Sequence, residues 1–165
     1  MITLHAMNDA DFAWLLGEGE ARADTLSLCA GGIAPDEVTA MLRGVAGSIA
    51  ETTDRPAAWM VSSNDQVVGM ISFTNAGVDG RYEIGYGMAP IHQGRGVMTR
   101  AIAELLPQLR ADGHDHLTAK TSVDNPGSQR VLEKNGFVRT GTHDDPEDGA
   151  LIVWAINLTS NGRPA

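Results

Sequence analysis

The chain has 165 residues with a hydrophobic content of 42%, which suits one domain with a real core and is too short for two full domains. Its formal net charge of -9 at pH 7 argues against nucleic acid and anionic membranes as partners, because both favour basic surfaces. The single cysteine, Cys29, excludes an intrachain disulfide and favours a reducing, cytoplasmic setting. No stretch approaches the roughly 18 apolar residues of a membrane helix.

The first half of the chain predicts two helices followed by an antiparallel meander. Alternating residues at the start indicate a strand, and Asn8 or Asp9 offers an N-cap for a helix that runs to Leu16. A second helix is predicted from Pro35 to about Glu51, with apolar side chains at helical spacing. Strand-like runs follow at residues 57–61, 67–73 and 81–88, with a tight turn at 62–65.

The second half changes to alternating helices and strands. Residues 96–112 have helical spacing and residues 116–123 alternate, which predicts a parallel crossover. Pro107 removes a backbone donor inside this helix, so we expect a kink there. A further helix runs from Pro126 to Asn135 and stops at Gly136. Two last strands, one from residue 137 and one over 150–158, flank an acidic loop at 143–149.

These elements predict an α/β (α+β) fold in a single domain over residues 1–159, followed by a loose tail at 160–165. We expect a mixed, mostly antiparallel sheet of six or seven strands with helices on both faces. Its parallel pair is formed by the fourth and fifth predicted strands.

The segment 93–98 has the composition of an anion-binding turn. Gly94, Arg95 and Gly96 follow a strand and precede a helix that begins at about Val97, which gathers backbone N–H groups at a helix N-terminus. Glycines let a phosphate approach the backbone, and the arginine adds a charged donor. The segment fits neither the P-loop nor the dinucleotide signature. A glycine-rich connection with no ligand is the alternative interpretation.

Residues 82–100 resemble the coenzyme A motif of the GNAT acetyltransferase superfamily, Gln/Arg-x-x-Gly-x-Gly/Ala after a strand. Gln93 and Gly96 match this motif in identity and spacing, whereas Met98 stands where the family has Gly or Ala. The order of elements from 66 to 158 is also similar. The resemblance implies acetyl-CoA as the co-substrate, bound by Met88, Gln93, Gly94, Arg95, Gly96, Val97, Met98, Thr99 and Asn125.

Further motifs resemble the RimJ/RimL-type branch of the superfamily. They are Glu83-Ile84-Gly85-Tyr86, Asn125-x-x-Ser128 and the segment 131–137 that ends in Asn-Gly-Phe.

Acyl transfer from a thioester to an amine needs a neutral amine, a site for the oxyanion and a proton for the thiolate. The resemblance implies that the coenzyme lies where the two parallel strands splay apart, with the Met88 backbone as pantetheine contact and oxyanion donor. Glu83 is our candidate base, directly or through water, because it lies on the strand that leads there. Alternation puts it on the face of Gly85 and Gly87, which would leave space for an amine. Alternatively, Glu83 pairs with a cross-strand arginine.

The proton for the thiolate has a different candidate. Leu132 replaces the tyrosine that many family members use, and Ser128 lies four residues earlier on the same helix face. The matching serine is the proposed donor in RimL-type relatives, so Ser128 would relay a proton or solvate the thiolate. A helix serine with no chemical role is the alternative. Asn125 before Pro126 indicates a helix N-cap, and the resemblance implies a hydrogen bond from it to the pantetheine arm.

The sequence therefore predicts an acetyl-CoA-dependent N-acetyltransferase that acts by direct attack of a primary amine, either a small molecule or a protein N-terminus. We expect a monomer or homodimer with no metal, since His114 and His116 have no third ligand within sequence reach. Cys29 lacks an activating context, so we expect packing and not catalysis from it. The alternatives are a catalytically silent acyl-CoA-binding sensor or recruitment module, and a nucleotide-binding protein that uses the same glycines.

Overall fold

Eight strands and four helices make up the computed structural model, which describes residues 1–159. The predicted tail at 160–165 lies outside the described residues. In chain order the elements are β1 (Ile2–Ala6), α1 (Asp9–Leu15), β2 (Ser27–Leu28), α2 (Asp36–Ala50), β3 (Ala58–Ser63), β4 (Gln66–Phe73), β5 (Arg81–Met88), a 3-10 turn (Pro90–His92), α3 (Val97–Ala111), β6 (His116–Ser122), α4 (Pro126–Lys134), β7 (Val138–Asp145) and β8 (Gly149–Asn157).

The chain divides into two compact units, and β5 contributes to both. The first unit comprises Met1–Ala76 and Gly85–Val97, and the second comprises Gly77–Ile84 and the chain from residue 98 onward. The single domain over residues 1–159 therefore stays a prediction. Within residues 1–159, no helix is long and apolar enough to cross a bilayer.

In the first unit, β4 is the central strand. It pairs antiparallel with β3, lies beside β5, and takes the two residues of β2 in parallel. Seven of its eight residues are buried, as expected for a strand with covered faces. The β3–β4 hairpin turns at Asn64 and Asp65, whose φ angles of 51° and 63° give the left-handed turn that a two-residue hairpin loop needs. Trp59 and Phe73 pack edge to face in the core, with ring centroids 5.6 Å apart.

A buried carboxylate fixes the start of α1. Asp11 is only 3% exposed; it accepts the backbone N–H of Asn8 at 2.8 Å, and the Asn8 side chain accepts the Asp11 N–H at 3.1 Å. The Arg22 guanidinium donates to both carboxylate oxygens of Asp11. Burial raises the pKa of Asp11, but the hydrogen bonds from Arg22 and Asn8 outweigh it, so the pKa lies below its ordinary value.

We expect Asp11→Asn to lower the free energy of unfolding by about 2 kcal/mol at neutral pH, because the Arg22 guanidinium loses its counter-charge. A carboxyl group whose pKa is lowered by folding stabilises the protein above its unfolded pKa, and this stabilisation is lost as the pH falls through the folded value. The difference between wild type and variant in urea unfolding should therefore shrink below about pH 4.

The matched control is Asp9→Asn, which removes an exposed ion pair with Arg43 from the same helical turn. Asp9 is 74% exposed, so its loss should change stability little. Equal losses from the two variants would contradict the role assigned to Asp11.

In the second unit, α3 connects two parallel strands. The pairing of β5 with β6 runs from Arg81 opposite His116 to Ile84 opposite Ala119. Beyond β6, the order continues with β8 and then β7, both antiparallel. The core on this side is formed by the buried face of α3 and by side chains of β6 and β8, among them Ile102, Leu105, Leu109, Leu117 and Trp154.

Strand β7 is an edge strand, because it is the last in the strand order of the sheet. All of its residues except Asp145 are exposed, and its register against β8 shifts between Arg139 and Gly141. Among the described residues, no strand pairs with its outer side.

The mixed, mostly antiparallel sheet with one long parallel pair is confirmed. The pair is β5 and β6 instead of the fourth and fifth strands, because the two-residue β2 was not predicted. Cys29 is packed as predicted, with 2% of its surface exposed. Helix α3 continues past Pro107 to Ala111, and the kink stays a prediction.

The predicted acidic loop at 143–149 is partly wrong. Residues 143–145 extend β7 and pair with residues 149–151 of β8. The Asp145 carboxylate accepts the backbone N–H groups of Glu147 at 2.8 Å and Asp148 at 2.9 Å. These bonds close the turn over three residues and leave the preceding ones free to pair.

Candidate active site

A tight turn before α3 holds the candidate coenzyme residues. Gly94 and Gly96 have φ angles of +77° and +75°, the left-handed region that favours glycine. A Cβ built on either one would meet no atom within 4 Å, so the space beside both is open. Helix α3 begins at Val97 as predicted, and the first N–H groups of a helix have no acceptor within it. With residues 93–96 exposed, the turn presents backbone donors to an anion.

A hydrogen bond from the Gln93 side chain links this turn to the end of β5. Its Nε2 donates to the carbonyl oxygen of Met88 at 3.2 Å. The next residue, Ala89, donates its N–H to the carbonyl of Val68 at 2.8 Å, which fixes the strand end on β4. Gln93 and Met88, both named from the sequence, are thus in direct contact.

The residues just after the turn are buried or half-buried. Met98 is 7% exposed, so the side chain that replaces the family's small residue is buried. Thr99 is half-buried, and its carbonyl accepts Nδ2 of Asn135 at 3.2 Å, while the same Nδ2 donates to the carbonyl of Val131 at 2.9 Å. Asn135 therefore joins the end of α4 to the first turn of α3. From its sequence pattern, Asn135 was expected only as a helix end.

The start of α4 has the predicted cap. The Asn125 Oδ1 accepts the backbone N–H of Ser128 at 3.1 Å, and Pro126 occupies the first helical turn. Ser128 is half-buried. Gln129, which was not predicted as a site residue, links this turn to the end of β6, since its Nε2 donates to the carbonyls of Ser122 and Val123 at 3.1 and 3.2 Å. At the position of the family's tyrosine, Leu132 is fully buried.

Glu83 lies against a lysine in the paired part of β5 and β6. The register sets it opposite Thr118, and Lys120 reaches diagonally across from two residues further along β6. The Lys120 Nζ lies 3.3 Å from Glu83 Oε1, with the two side chains 39% and 21% exposed. The sequence offered a cross-strand arginine as the alternative partner of Glu83, and the structure places a cross-strand lysine beside it. Lys120 was not predicted as a partner of Glu83, because its position in an alternating strand is the only signal that the sequence gives for it.

The prediction that Gly85 and Gly87 leave open space is wrong. A Cβ on Gly85 would lie 2.8 Å from the side chain of Thr74, and one on Gly87 would lie 3.2 Å from the carbonyl oxygen of Ile33. These glycines instead let neighbouring chain segments approach the strand closely.

Of the two histidines considered as metal ligands, His114 is packed in the interior. His114 is 5% exposed, and its ring meets that of Tyr82 edge to face at 5.1 Å. Within residues 1–159, no group of three His, Cys, Asp or Glu side chains has an arrangement that holds a metal ion.

Residues 2–138 match the acetyltransferase (GNAT) domain family, and the chain belongs to that family. Over 85 residues, 50% of the chain, it is 33% identical to the ribosomal-protein-serine acetyltransferase of Escherichia coli strain K12. The match spans 48% of that relative, so about half of its length is represented.

The fold is similar to solved structures over almost the whole chain. The ribosomal-protein-S5-alanine acetyltransferase from Vibrio fischeri matches with a TM-score of 0.69 and 15% identity, covering 96% of this chain and 94% of that one. The structure of yncA from Salmonella typhimurium with its cofactor acetyl-CoA matches with a TM-score of 0.65 and 19% identity, covering 99% and 98%. At such identities these similarities establish the fold.

Proposed function

We propose that this protein is an acetyl-CoA-dependent N-acetyltransferase that transfers the acetyl group to a primary amine by direct attack, in the cytoplasm. The observation that carries the proposal is the turn at the start of α3, where two left-handed glycines border open space beside exposed backbone. Membership of the acetyltransferase (GNAT) domain family and the likeness to a structure with acetyl-CoA support it.

The residues named from the sequence would together bind the donor. The backbone N–H groups of the turn and of the first helical residues would receive the pyrophosphate, and the Arg95 guanidinium would add a charged donor. The Met88 backbone would contact the pantetheine arm. Asn125 would meet the arm through Nδ2, because its Oδ1 already accepts the N–H of Ser128. The full set is Met88, Gln93, Gly94, Arg95, Gly96, Val97, Met98, Thr99 and Asn125.

Three groups would serve the reaction. Glu83 would take the proton of the amine, directly or through water, and Lys120 must then give way to the incoming ammonium group. The backbone N–H of Met88 would stabilise the oxyanion. The Ser128 hydroxyl would relay a proton to the departing thiolate or solvate it.

The acceptor would be a cationic amine, either a protein N-terminus or a small molecule. A net charge of -9 favours a positively charged acceptor. The 33% identity to a ribosomal-protein-serine acetyltransferase supports the RimJ/RimL-type branch and therefore a protein N-terminus.

The test is acetyl-CoA binding together with thiol release on a panel of peptides, polyamines and aminoglycosides. We expect micromolar or tighter binding and thiol release with at least one acceptor class. Tight binding with no release on any acceptor would favour the acyl-CoA sensor instead. Binding of ATP without coenzyme A would refute the proposal and favour the nucleotide-binding alternative.

We expect Ser128→Ala to lower kcat by about tenfold with little change in acetyl-CoA affinity, because its backbone N–H still completes the Asn125 cap. The measurement is kcat from thiol release with the best acceptor. The control is Ser48→Ala on α2, an exposed serine, which should leave kcat unchanged. If Ser128→Ala acetylates every acceptor at the wild-type rate, Ser128 does not assist the departing thiolate.

A further inference from the structure

The chain contains only two lysines, Lys120 and Lys134. One of them has its ammonium group 3.3 Å from the carboxylate proposed as the general base, while the other is exposed in the last turn of α4. The Lys120 side chain is 39% exposed, so it is not enclosed by the protein. Its amine and the Glu83 carboxylate thus already have the arrangement that an acceptor amine and its base require.

We propose that Lys120 is a self-acetylation site of this protein, an inference that rests on the proposed function. Glu83 takes a proton from the Lys120 ammonium, and the neutral Nζ attacks the acetyl carbonyl carbon of acetyl-CoA. The C–N bond forms and the C–S bond breaks, and coenzyme A leaves as a thiolate that takes up a proton. The net products are Nε-acetyl-Lys120, free coenzyme A thiol and one proton.

Acetylation of Lys120 removes the positive charge next to the Glu83 carboxylate. An acetylated Lys120 carries no charge, so the ion pair with Glu83 disappears. An acceptor ammonium then no longer competes with a tethered one for the same carboxylate. Self-acetylation is therefore an activating first turnover, which should appear as a lag in acceptor turnover by unmodified protein.

The experiment compares the two lysines within one molecule. Unmodified protein is incubated with acetyl-CoA alone, and the acetyl group on each lysine is quantified by peptide mass spectrometry over time. We expect Lys120 to be modified on the order of a hundredfold faster than Lys134, the usual gain from a positioned general base. The first-order rate should not depend on protein concentration, as required for a reaction within one chain.

Variants make the result specific to the Glu83–Lys120 pair. Glu83→Gln should reduce acetylation at residue 120 to the rate at Lys134, and Lys134→Arg should leave Lys120 acetylation unchanged. Lys120→Arg keeps the positive charge beside Glu83 but cannot be acetylated, so acceptor turnover should stay at the slow initial rate and never accelerate. Equal rates at the two lysines, or a Lys120 rate that survives Glu83→Gln in protein with a wild-type Tm, would overturn the inference.

Failure of this inference is distinguishable from failure of the proposed function. Thiol release with an external acceptor while Lys120 stays unmodified would overturn self-acetylation alone. Absence of both acetyl-CoA binding and thiol release would remove the proposed function, and self-acetylation with it.

Discussion

Glu83→Gln should lower kcat with an acceptor amine by a hundredfold or more, while the Kd for acetyl-CoA stays within about twofold. The amide keeps the shape of the side chain but cannot take up a proton from the acceptor. Glu83 is 21% exposed and faces the Lys120 ammonium, so the amide also loses an ion pair. Stopped assays of thiol release together with binding titrations separate the two quantities.

The pH profile identifies the origin of this loss. If Glu83 is the general base, the kcat/KM profile of the wild-type enzyme has an acid limb that should be missing in Glu83→Gln. Glu104→Gln, at an exposed position on α3, is the matched control and should keep both the rate and the limb. If Glu83→Gln has the same pH profile of kcat/KM as the wild type, Glu83 is not the base.

Gly96→Ala should raise the Kd for coenzyme A about tenfold or more. The native φ of +75° is unfavourable for a residue with a Cβ, at a cost of roughly 1–2 kcal/mol. The added methyl group would also occupy the open space beside the turn, where we place the pyrophosphate. Each 1.4 kcal/mol of lost binding is a factor of ten, and isothermal titration calorimetry measures it directly.

Gly149→Ala provides the control for backbone strain. Gly149 also has φ +75° and no atom within 4 Å of a built Cβ, but it is the first residue of β8, just after the turn that follows β7. Both variants should lower Tm by similar amounts, and only Gly96→Ala should weaken coenzyme binding. If Gly96→Ala binds coenzyme A with unchanged affinity, the anion site is not at this turn.

The parts of the fold that were predicted correctly are those that local patterns determine. Strand β5 was placed at its observed bounds, and α3 was placed within a residue at each end, because long periodic segments fix their own structure. Strand β2 has only two residues, and its pairing depends on β4 almost 40 positions further along the chain. The end of β7 depends on one side chain, Asp145, which closes the turn.

The same distinction applies to the candidate site. The left-handed glycines of the turn and the cap at Asn125 follow from short-range chemistry, and both are present in the structure. The contact of Lys120 with Glu83 depends on the register of two strands, which single-sequence patterns do not fix. The bond from Asn135 to Thr99 links residues 36 positions apart and depends on helix packing.

The outer edge of β7 is poorly suited to pair with a strand of another molecule. An unpaired strand edge invites another strand to add to it, and proteins resist this with charges and bulges. The edge of β7 carries Arg139, Asp144 and Asp145, and its register shift interrupts the regular spacing of backbone groups. Growth of the sheet from one molecule into the next is thereby discouraged. A homodimer of this protein would therefore form through a different surface.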